Sequence, residues 1–176
     1  MRKVAFRVAT TLNNFLARTD ESTDWILFGE EAAALMSSSW KSVDTVLWGR
    51  KTYDFAVRNG QKDGYPGMKN FVFSRALAAP SGKVTIVSEE ATAFVHSLKQ
   101  QKGKDIALMG GGELARSLFE AGLIDELALT IHPILLGDGI PLFHPMSRPI
   151  QLELLESRSF RNGCVYAEYR VNNATA

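Results

Sequence analysis

Glycines, basic side chains and hydroxyls recur in this sequence directly after apolar runs, and that combination suits the binding of phosphate. The run Ile106–Met109 leads into Gly110, Gly111 and Gly112, and Glu113 and Leu114 open a stretch with helical spacing. Glycine lets a backbone come close to an anion, and the free N–H groups of a helix start face it. A second run, DTVLWG, ends at Gly49 and is followed by Arg50, Lys51 and Thr52. A third, NFVF, ends at Ser74 and Arg75. A guanidinium grips phosphate through two parallel hydrogen bonds, and a hydroxyl adds another donor.

Gly110, Gly112 and Ala115 also satisfy the loose dinucleotide pattern G-x-G-x-x-A. That fingerprint belongs to the first strand–helix unit of a domain and needs an acid about 20 residues on, for the ribose. Here the loop comes late in the chain. The next strand ends in TIHPILLG, with His132 and Pro133 and no carboxylate. The residues point to a phosphate loop in another nucleotide-binding fold. Parallel strands bring their C-terminal ends to one edge of a sheet, where ligands bind. Gathered there, the three strand ends fit a ligand with two separate phosphate groups, such as NADPH with its pyrophosphate and 2′-phosphate.

The elements that would position these residues are legible. Clusters of β-branched and aromatic residues place strands at Val4–Thr10, Thr45–Trp48, Asn70–Phe73, Lys83–Val87, Asp105–Met109, Glu126–Leu135, Gln151–Ser159 and Cys164–Val171. The last two flank Arg161-Asn162-Gly163, an Asn-Gly turn, and form a hairpin. Helices are expected in FGEEAAALMSSSW, in RKTYDFAV, from an N-capping Ser88 towards Gly103, and in ELARSLFEAG, which stops at Gly122. Two of these helices join strands as parallel crossovers require. The expected fold is α/β: a mixed sheet with helices on both faces and an antiparallel C-terminal hairpin.

Composition narrows the classes. A chain of 176 residues, 45% hydrophobic and 22% charged, can build one domain with a substantial core. A net charge of +1 argues against a nucleic-acid partner bound through bulk charge. The single cysteine, Cys164, excludes an intrachain disulfide and a paired-cysteine zinc site, and reads as a small apolar strand residue. The N-terminal MRKVAFRVATTL is broken by Arg7 and reads as a first strand rather than a signal peptide. No run approaches the about 20 apolar residues of a membrane span. The expected setting is the reducing cytoplasm, with no membrane partner. Residues 1–172 read as one domain and 173–176 as a flexible tail.

The segments FRVATTLNNFLA, DTVLWGRKTYDF, FVFSR, IALMGGGELARSLFEAGLIDELALTIHPILLGDGIPLF and LELLESRSFRNGCVYAEY resemble, in order, the dihydrofolate-reductase-like family. The nearest branch is the reductase domain of the bacterial bifunctional riboflavin-biosynthesis enzyme and its stand-alone relatives. The resemblance implies a three-layer sandwich around an eight-strand mixed sheet, and NADPH with hydride transfer to a pyrimidine or pteridine-like ring. Carried over by motif, Gly49, Arg50, Lys51 and Thr52 would hold the 2′-phosphate and pyrophosphate side. Ser74 and Arg75 would hold the 2′-phosphate, and Gly110, Gly111, Gly112, Glu113 and Leu114 the pyrophosphate. Ala9 would line the nicotinamide pocket through its backbone. A cis peptide between Gly110 and Gly111 and a homodimer are also implied. Where the family usually reads Ser-Leu-Asp-Gly after its first strand, this chain has Thr11-Leu12-Asn13-Asn14; Asn tolerates the left-handed conformation that Gly supplies. The deaminase half is absent, because the chain has no H-x-E and one cysteine cannot make P-C-x-x-C.

On the substrate side the candidates are Asp24, Glu30 and Glu31, in the segment that lines the substrate in the family. Each is equally at home as helix N-terminal charge. Folate reductases carry an acid in their first helix; counting back from Gly49-Arg50 puts that position near Ala33, a turn from Glu30 and Glu31. Trp25 and Trp48 could stack on a flat heterocycle or fill core. His132 and His144 read as loop or strand-end residues, and Gly137-Asp138-Gly139 lacks the second acidic cluster a metal needs. The leading expectation is an NADPH-dependent reductase of an aminopyrimidine, of the 5-amino-6-(5-phosphoribosylamino)uracil type, or a related heterocycle. A dihydrofolate or pteridine reductase and a non-catalytic NADP-binding protein remain open.

Overall fold

A computed structural model describes residues 1–76 and 82–173. In chain order the elements are β1 (Val4–Thr11), β2 (Phe15–Ala17), α1 (Glu30–Trp40), β3 (Val43–Gly49), α2 (Arg50–Arg58), β4 (Lys69–Phe73), β5 (Thr85–Val87), α3 (Ala91–Gln100), β6 (Asp105–Met109), α4 (Gly112–Glu120), β7 (Glu126–His132), β8 (Ile140–Pro141), β9 (Leu152–Ser159) and β10 (Val165–Val171). Eight strands form one sheet in the order β5-β4-β3-β6-β1-β7-β10-β9. From β5 to β7 every neighbouring pair is parallel, and β10 runs antiparallel to both β7 and β9. This is the dihydrofolate-reductase-like α/β architecture, with its antiparallel hairpin at one edge.

Central parallel strands are buried on both faces, so their residues are apolar without alternation. Ile106, Ala107 and Leu108 of β6 are all buried. On one face Val4 and Phe6 of β1 meet Ile106, Leu108, Leu127 and Leu129, covered by Val95 and Leu98 of α3 and by Leu118 and Phe119 of α4. On the other face Val46 and Trp48 of β3 and Val72 of β4 pack under Tyr53 and Ala56 of α2. Next to them Ala128, Cys164 and Tyr166 receive Ala32 and Leu35 of α1. At the far edge two buried cations are fully engaged: Arg2 pairs with Asp44, and Lys99 Nζ donates to Asp125 Oδ2 at 2.6 Å and to the Leu123 carbonyl at 3.0 Å. A buried charge is tolerable only with partners of this kind.

Several boundaries differ from expectation for local reasons. Helix α3 is capped by Glu90, whose carboxylate accepts from the Thr92 and Ala93 amides at 3.2 and 2.9 Å, and not by Ser88. The Thr92 hydroxyl and these amides hold the Glu90 carboxyl below its usual range. Strand β7 stops at His132 rather than Leu135, because Pro133 has no N–H to continue the ladder. A second sheet, β2 with β8, was not legible in the sequence. Gly139 belongs to it structurally, since a Cβ there would stand 2.4 Å from the Ala17 carbonyl oxygen. The hairpin closes as expected, with Gly163 at φ 87° and Phe160 N–H on the Cys164 carbonyl at 2.8 Å. Of the tail expected at 173–176, residues 174–176 lie outside the described residues, and Asn173 Nδ2 donates to the Ile124 carbonyl at 2.8 Å.

The core assignment is tested by a matched pair. Leu118 is 0% exposed and Leu154 is 55% exposed. Leu118→Ala is expected to lower the unfolding free energy in denaturant by about 2–5 kcal/mol. Leu154→Ala is expected to change it by no more than about 0.5 kcal/mol.

Candidate functional site

The C-terminal ends of β1, β3, β4, β6 and β7 share one edge of the sheet, so the residues singled out above converge there. Arg50, at the head of α2, is held by Asp54 one turn on, with Nε 2.8 and 2.7 Å from the two carboxylate oxygens. Its Nη1 reaches Ser74 Oγ at 3.3 Å, which ties the ends of β3 and β4 together. Arg75 and Lys51 are exposed, and Thr52 is half-buried. The Arg75 charge lies near enough to Glu90 to contribute to that carboxyl's lowering, as the smallest of its causes.

The three glycines after β6 have different roles. A Cβ on Gly110 would stand 3.0 and 3.1 Å from the Leu108 and Leu114 side chains. One on Gly112 would stand 2.6 Å from both the Leu142 carbonyl oxygen and the His144 ring. These two are glycines because the fold packs against them. Gly111 is different: at φ −73° it is in a conformation any residue adopts, and a Cβ would meet only Thr52 Oγ1, at 3.8 Å. Gly111 is also the N-cap of α4, which has no side-chain cap. The helix N-terminus therefore presents uncapped N–H groups beside an open-faced glycine, a geometry that admits an anion. Glu113 is exposed and Leu114 half-buried, packed on the core. The resemblance implied a cis peptide at Gly110–Gly111, but no cis peptide occurs among the described residues. The strand ends lie close without it: a Cβ on Gly49 would be in van der Waals contact with Gly110 and Gly111.

Pairing of β1 with β6 ends at Phe6↔Leu108, whereas pairing with β7 continues through Ala9↔Thr130 to Thr11↔His132. Strand β6 itself ends at Met109, so β1 runs on to Thr11 with no β6 partner, and the half-buried Ala9 lies in that stretch. The turn after β1 uses Asn14 at φ 63°, the left-handed conformation expected of it. Asn13 is held at both ends of its amide: Nδ2 donates to the Leu136 carbonyl at 2.7 Å, and Oδ1 accepts from Leu136 N–H at 3.2 Å and from the Thr11 hydroxyl at 2.9 Å. A carboxylate could not make the first of these bonds.

The substrate-side carboxylates separate into unlike environments. Asp24 is exposed and taken up by Arg18, whose Nε donates to it at 2.7 Å; this bond holds the carboxyl below its usual range. Glu31 Oε2 accepts from the Arg161 amide at 2.8 Å. Glu30, the first residue of α1, has no hydrogen-bond or ion-pair partner among the described residues. Trp48 is core, 2% exposed, with Nε1 donating to Asn70 Oδ1 at 3.0 Å. Trp25 is 5% exposed, sits edge-on to His132 with centroids 5.2 Å apart, and leaves Nε1 buried without a partner. His132 itself is 2% exposed, and its role is visible only in the fold. The one sequence cue was its place at the end of the β7 pattern, on the same face as Thr130. Among the described residues no cluster of three or more His, Cys, Asp and Glu side chains could hold a metal. Nor is any helix among them long and apolar enough to cross a membrane.

The eight-strand sheet, parallel from β5 to β7 with an antiparallel hairpin at one edge, has the fold of dihydrofolate-reductase-like proteins. A model of the RibD C-terminal domain matches residues 2–166, and the chain belongs to that family. Two Bacillus subtilis (strain 168) proteins are similar along most of their length. YyaP is 30% identical, covering 97% of this chain and 96% of YyaP, and YwjB is 34% identical, covering 90% and 92%. Among solved structures, a Shewanella sp. PV-4 protein assigned to riboflavin biosynthesis superposes with a TM-score of 0.84 at 23% identity, covering 98% of this chain and 99% of that one. Dihydrofolate reductase from Enterococcus faecalis superposes with a TM-score of 0.73 at 15% identity, covering 97% and 96%. The Thermotoga maritima diaminohydroxyphosphoribosylaminopyrimidine deaminase/5-amino-6-(5-phosphoribosylamino)uracil reductase gives 0.73 at 14% identity, covering 97% of this chain and 56% of that one.

The division among the glycines makes a prediction. Gly111→Ala puts a poor N-cap residue in place of a good one and is expected to lower the unfolding free energy by about 1 kcal/mol; if the head of α4 takes a dinucleotide, it is also expected to weaken that binding by about tenfold or more. Gly112→Ala is expected to destabilise the fold by about 1–3 kcal/mol through overpacking. Denaturant unfolding and fluorescence titration separate the two effects.

Proposed function

We propose that the protein is an NADPH-dependent reductase acting on a flat nitrogen heterocycle, of which an aminopyrimidine of the 5-amino-6-(5-phosphoribosylamino)uracil type is the leading example. The observation that carries this reading is the head of α4, where no side chain caps the helix and the N-cap glycine, Gly111, leaves room for an anion. The residues fit the cofactor. The N–H groups at the start of α4 would take the pyrophosphate, with Thr52 alongside. Arg50, steadied by Asp54, would take the 2′-phosphate with Ser74 and Arg75. Ala9 would offer backbone to the nicotinamide amide. When bound, the cofactor would supply a hydride to an electrophilic carbon of the substrate.

The chain's own part is orientation, exclusion of water and a proton. Glu30 is the carboxyl we assign to the proton, because Asp24 and Glu31 already hold other partners. Membership of the RibD C-terminal domain family and the reductase half named in the Thermotoga protein support the choice of an aminopyrimidine. The sheet match to dihydrofolate reductase keeps a pteridine in the test panel. A free buried thiol at Cys164 accords with a cytoplasmic setting. Exposed Leu152, Leu154 and Leu155 on the edge strand β9 accord with a homodimer.

Titration with NADPH and NADH tests the cofactor. NADPH is expected to bind more tightly, and Arg75→Ala to weaken NADPH by about 10–100-fold while changing NADH little, the scale of a lost charge-assisted hydrogen bond. Equal binding of the two cofactors would sink the 2′-phosphate assignment. Incubation with NADPH and a panel of pyrimidines and pterins is expected to oxidise the cofactor with at least one substrate. Tight NADPH binding with no turnover across the panel would favour the non-catalytic reading.

A further inference from the structure

Helix α1 carries the proposed proton donor, yet it has no buried residue. Ala32, Leu35 and Trp40 pack it against the sheet while only partly buried, and its leading end is held by polar bonds. Leu27 N–H donates to His132 Nδ1 at 3.2 Å. The Leu27 carbonyl accepts from Asn162 Nδ2 at 3.3 Å. Glu31 Oε2 accepts from the Arg161 amide at 2.8 Å. Two of these three anchors come from the β9–β10 turn and one from the end of β7. The β7 anchor alone can change its protonation near neutral pH.

We infer that His132 is a positioning residue: as a neutral imidazole it holds the 25–31 segment, and with it Glu30 and the start of α1, against the C-terminal edge of the sheet. The proton count follows from the hydrogen bond. Nδ1 accepts from Leu27, so the neutral ring carries its single proton on Nε2. A second proton must go to Nδ1, where it would point at the Leu27 N–H. Two donors then face each other and the bond is lost. The ring has no way to relax into water, being 2% exposed and wedged against Trp25.

The surroundings favour the neutral form. Cys164 of β10 places Sγ 3.3 Å from the same nitrogen, and burial pushes that thiol's pKa up, so it contributes no negative charge. Thr11 is the register partner on β1 and is uncharged. The charged residues on the docked segment, α1 and the hairpin tip are Asp24, Glu30, Glu31 and Arg161; Asp24 is engaged by Arg18, and Glu31 by the Arg161 amide. Burial accordingly lowers the His132 pKa below the ordinary imidazole value. The latch is therefore complete above about pH 6.5, the unfolded-state value, and weakens as pH falls through the lower value of the folded protein.

That the segment borders a substrate rests on the reductase reading; the latch itself does not. Hydrogen exchange resolved by segment tests the latch in the full chain. After correction for the intrinsic pH dependence of exchange, protection of residues 25–35 in the native protein is expected to fall about tenfold below the His132 transition, the scale of one lost hydrogen bond. Protection of β6 and α4 is expected to hold. His132→Asn places an amide oxygen near the Nδ1 position without a titratable group, so it is expected to keep protection at both pH values. His132→Leu is expected to lose it at both. Protection that is independent of pH in the native protein, or a pH step that persists in His132→Asn, would overturn the inference. If His132→Leu does not fold, the native protein and His132→Asn still decide the matter. A kinetic arm separates the two readings. With turnover present, His132→Leu is expected to raise the KM for the heterocycle about tenfold and leave NADPH affinity unchanged; a rise confined to NADPH would count against the latch. A latch confirmed by exchange in a protein that reduces nothing would sink the reductase reading alone.

Discussion

Strands β3 and β6 lie side by side, β3 ending in Gly49 and β6 running directly into Gly110, and the candidate site is built on how closely those ends meet. A Cβ on Gly49 would stand 3.4 Å from the Gly111 nitrogen and 3.5 Å from Gly110 Cα. The heads of α2 and α4 therefore lie side by side. Thr52 is the residue nearest the open face of Gly111, Arg50 reaches across to Ser74, and the positive ends of two helices add to the fixed charge of Arg50 and Lys51. Because α4 carries the chain from β6 to β7 across β1, its head lies at the same sheet edge as the end of β1.

The two halves of the cleft are held by different forces. On the phosphate side the elements are packed: Leu118, Phe119 and Ala115 anchor α4 in the core, and Tyr53 and Ala56 anchor α2. Apolar burial of this kind leaves little freedom for a backbone cradle to move. On the opposite side α1 contributes only partly buried side chains, Ala32 and Leu35 to one cluster and Trp40 to another, and polar bonds to Asn162, Arg161 and His132 hold its leading end. Each such bond contributes only about 1 kcal/mol net. That asymmetry suits a cleft in which a cofactor occupies a preformed groove while a second ligand enters under a less firmly held helix.

The parallel strands and the strand–glycine–helix junctions were legible because their causes are local. Apolar runs, glycines and a following helical pattern lie within a few residues of one another, as at 105–122. The bonds of the substrate side were not legible because they join residues far apart in sequence. His132 meets Leu27, and Asn13 meets Leu136, only once β1 and β7 are paired. The β2–β8 pair involves strands of three and two residues, too short for any periodicity to register. The choice of Ser88 over Glu90 as the cap failed because side-chain reach decides it, and the helix begins directly after Glu90. Trp48, more at home in the core than as a stacking platform, is enclosed there by Asn70 and Tyr65.

The central claim is that the close approach at Gly49, Gly110 and Gly111 forms a pyrophosphate cradle at the head of α4. An amide-resolved NMR titration with NADPH addresses it most directly. The account predicts that the largest shifts fall on Gly49–Thr52, Gly110–Leu114 and the backbone around Ala9. Saturable binding that leaves those amides unmoved, with the shifts elsewhere on the sheet, would contradict it.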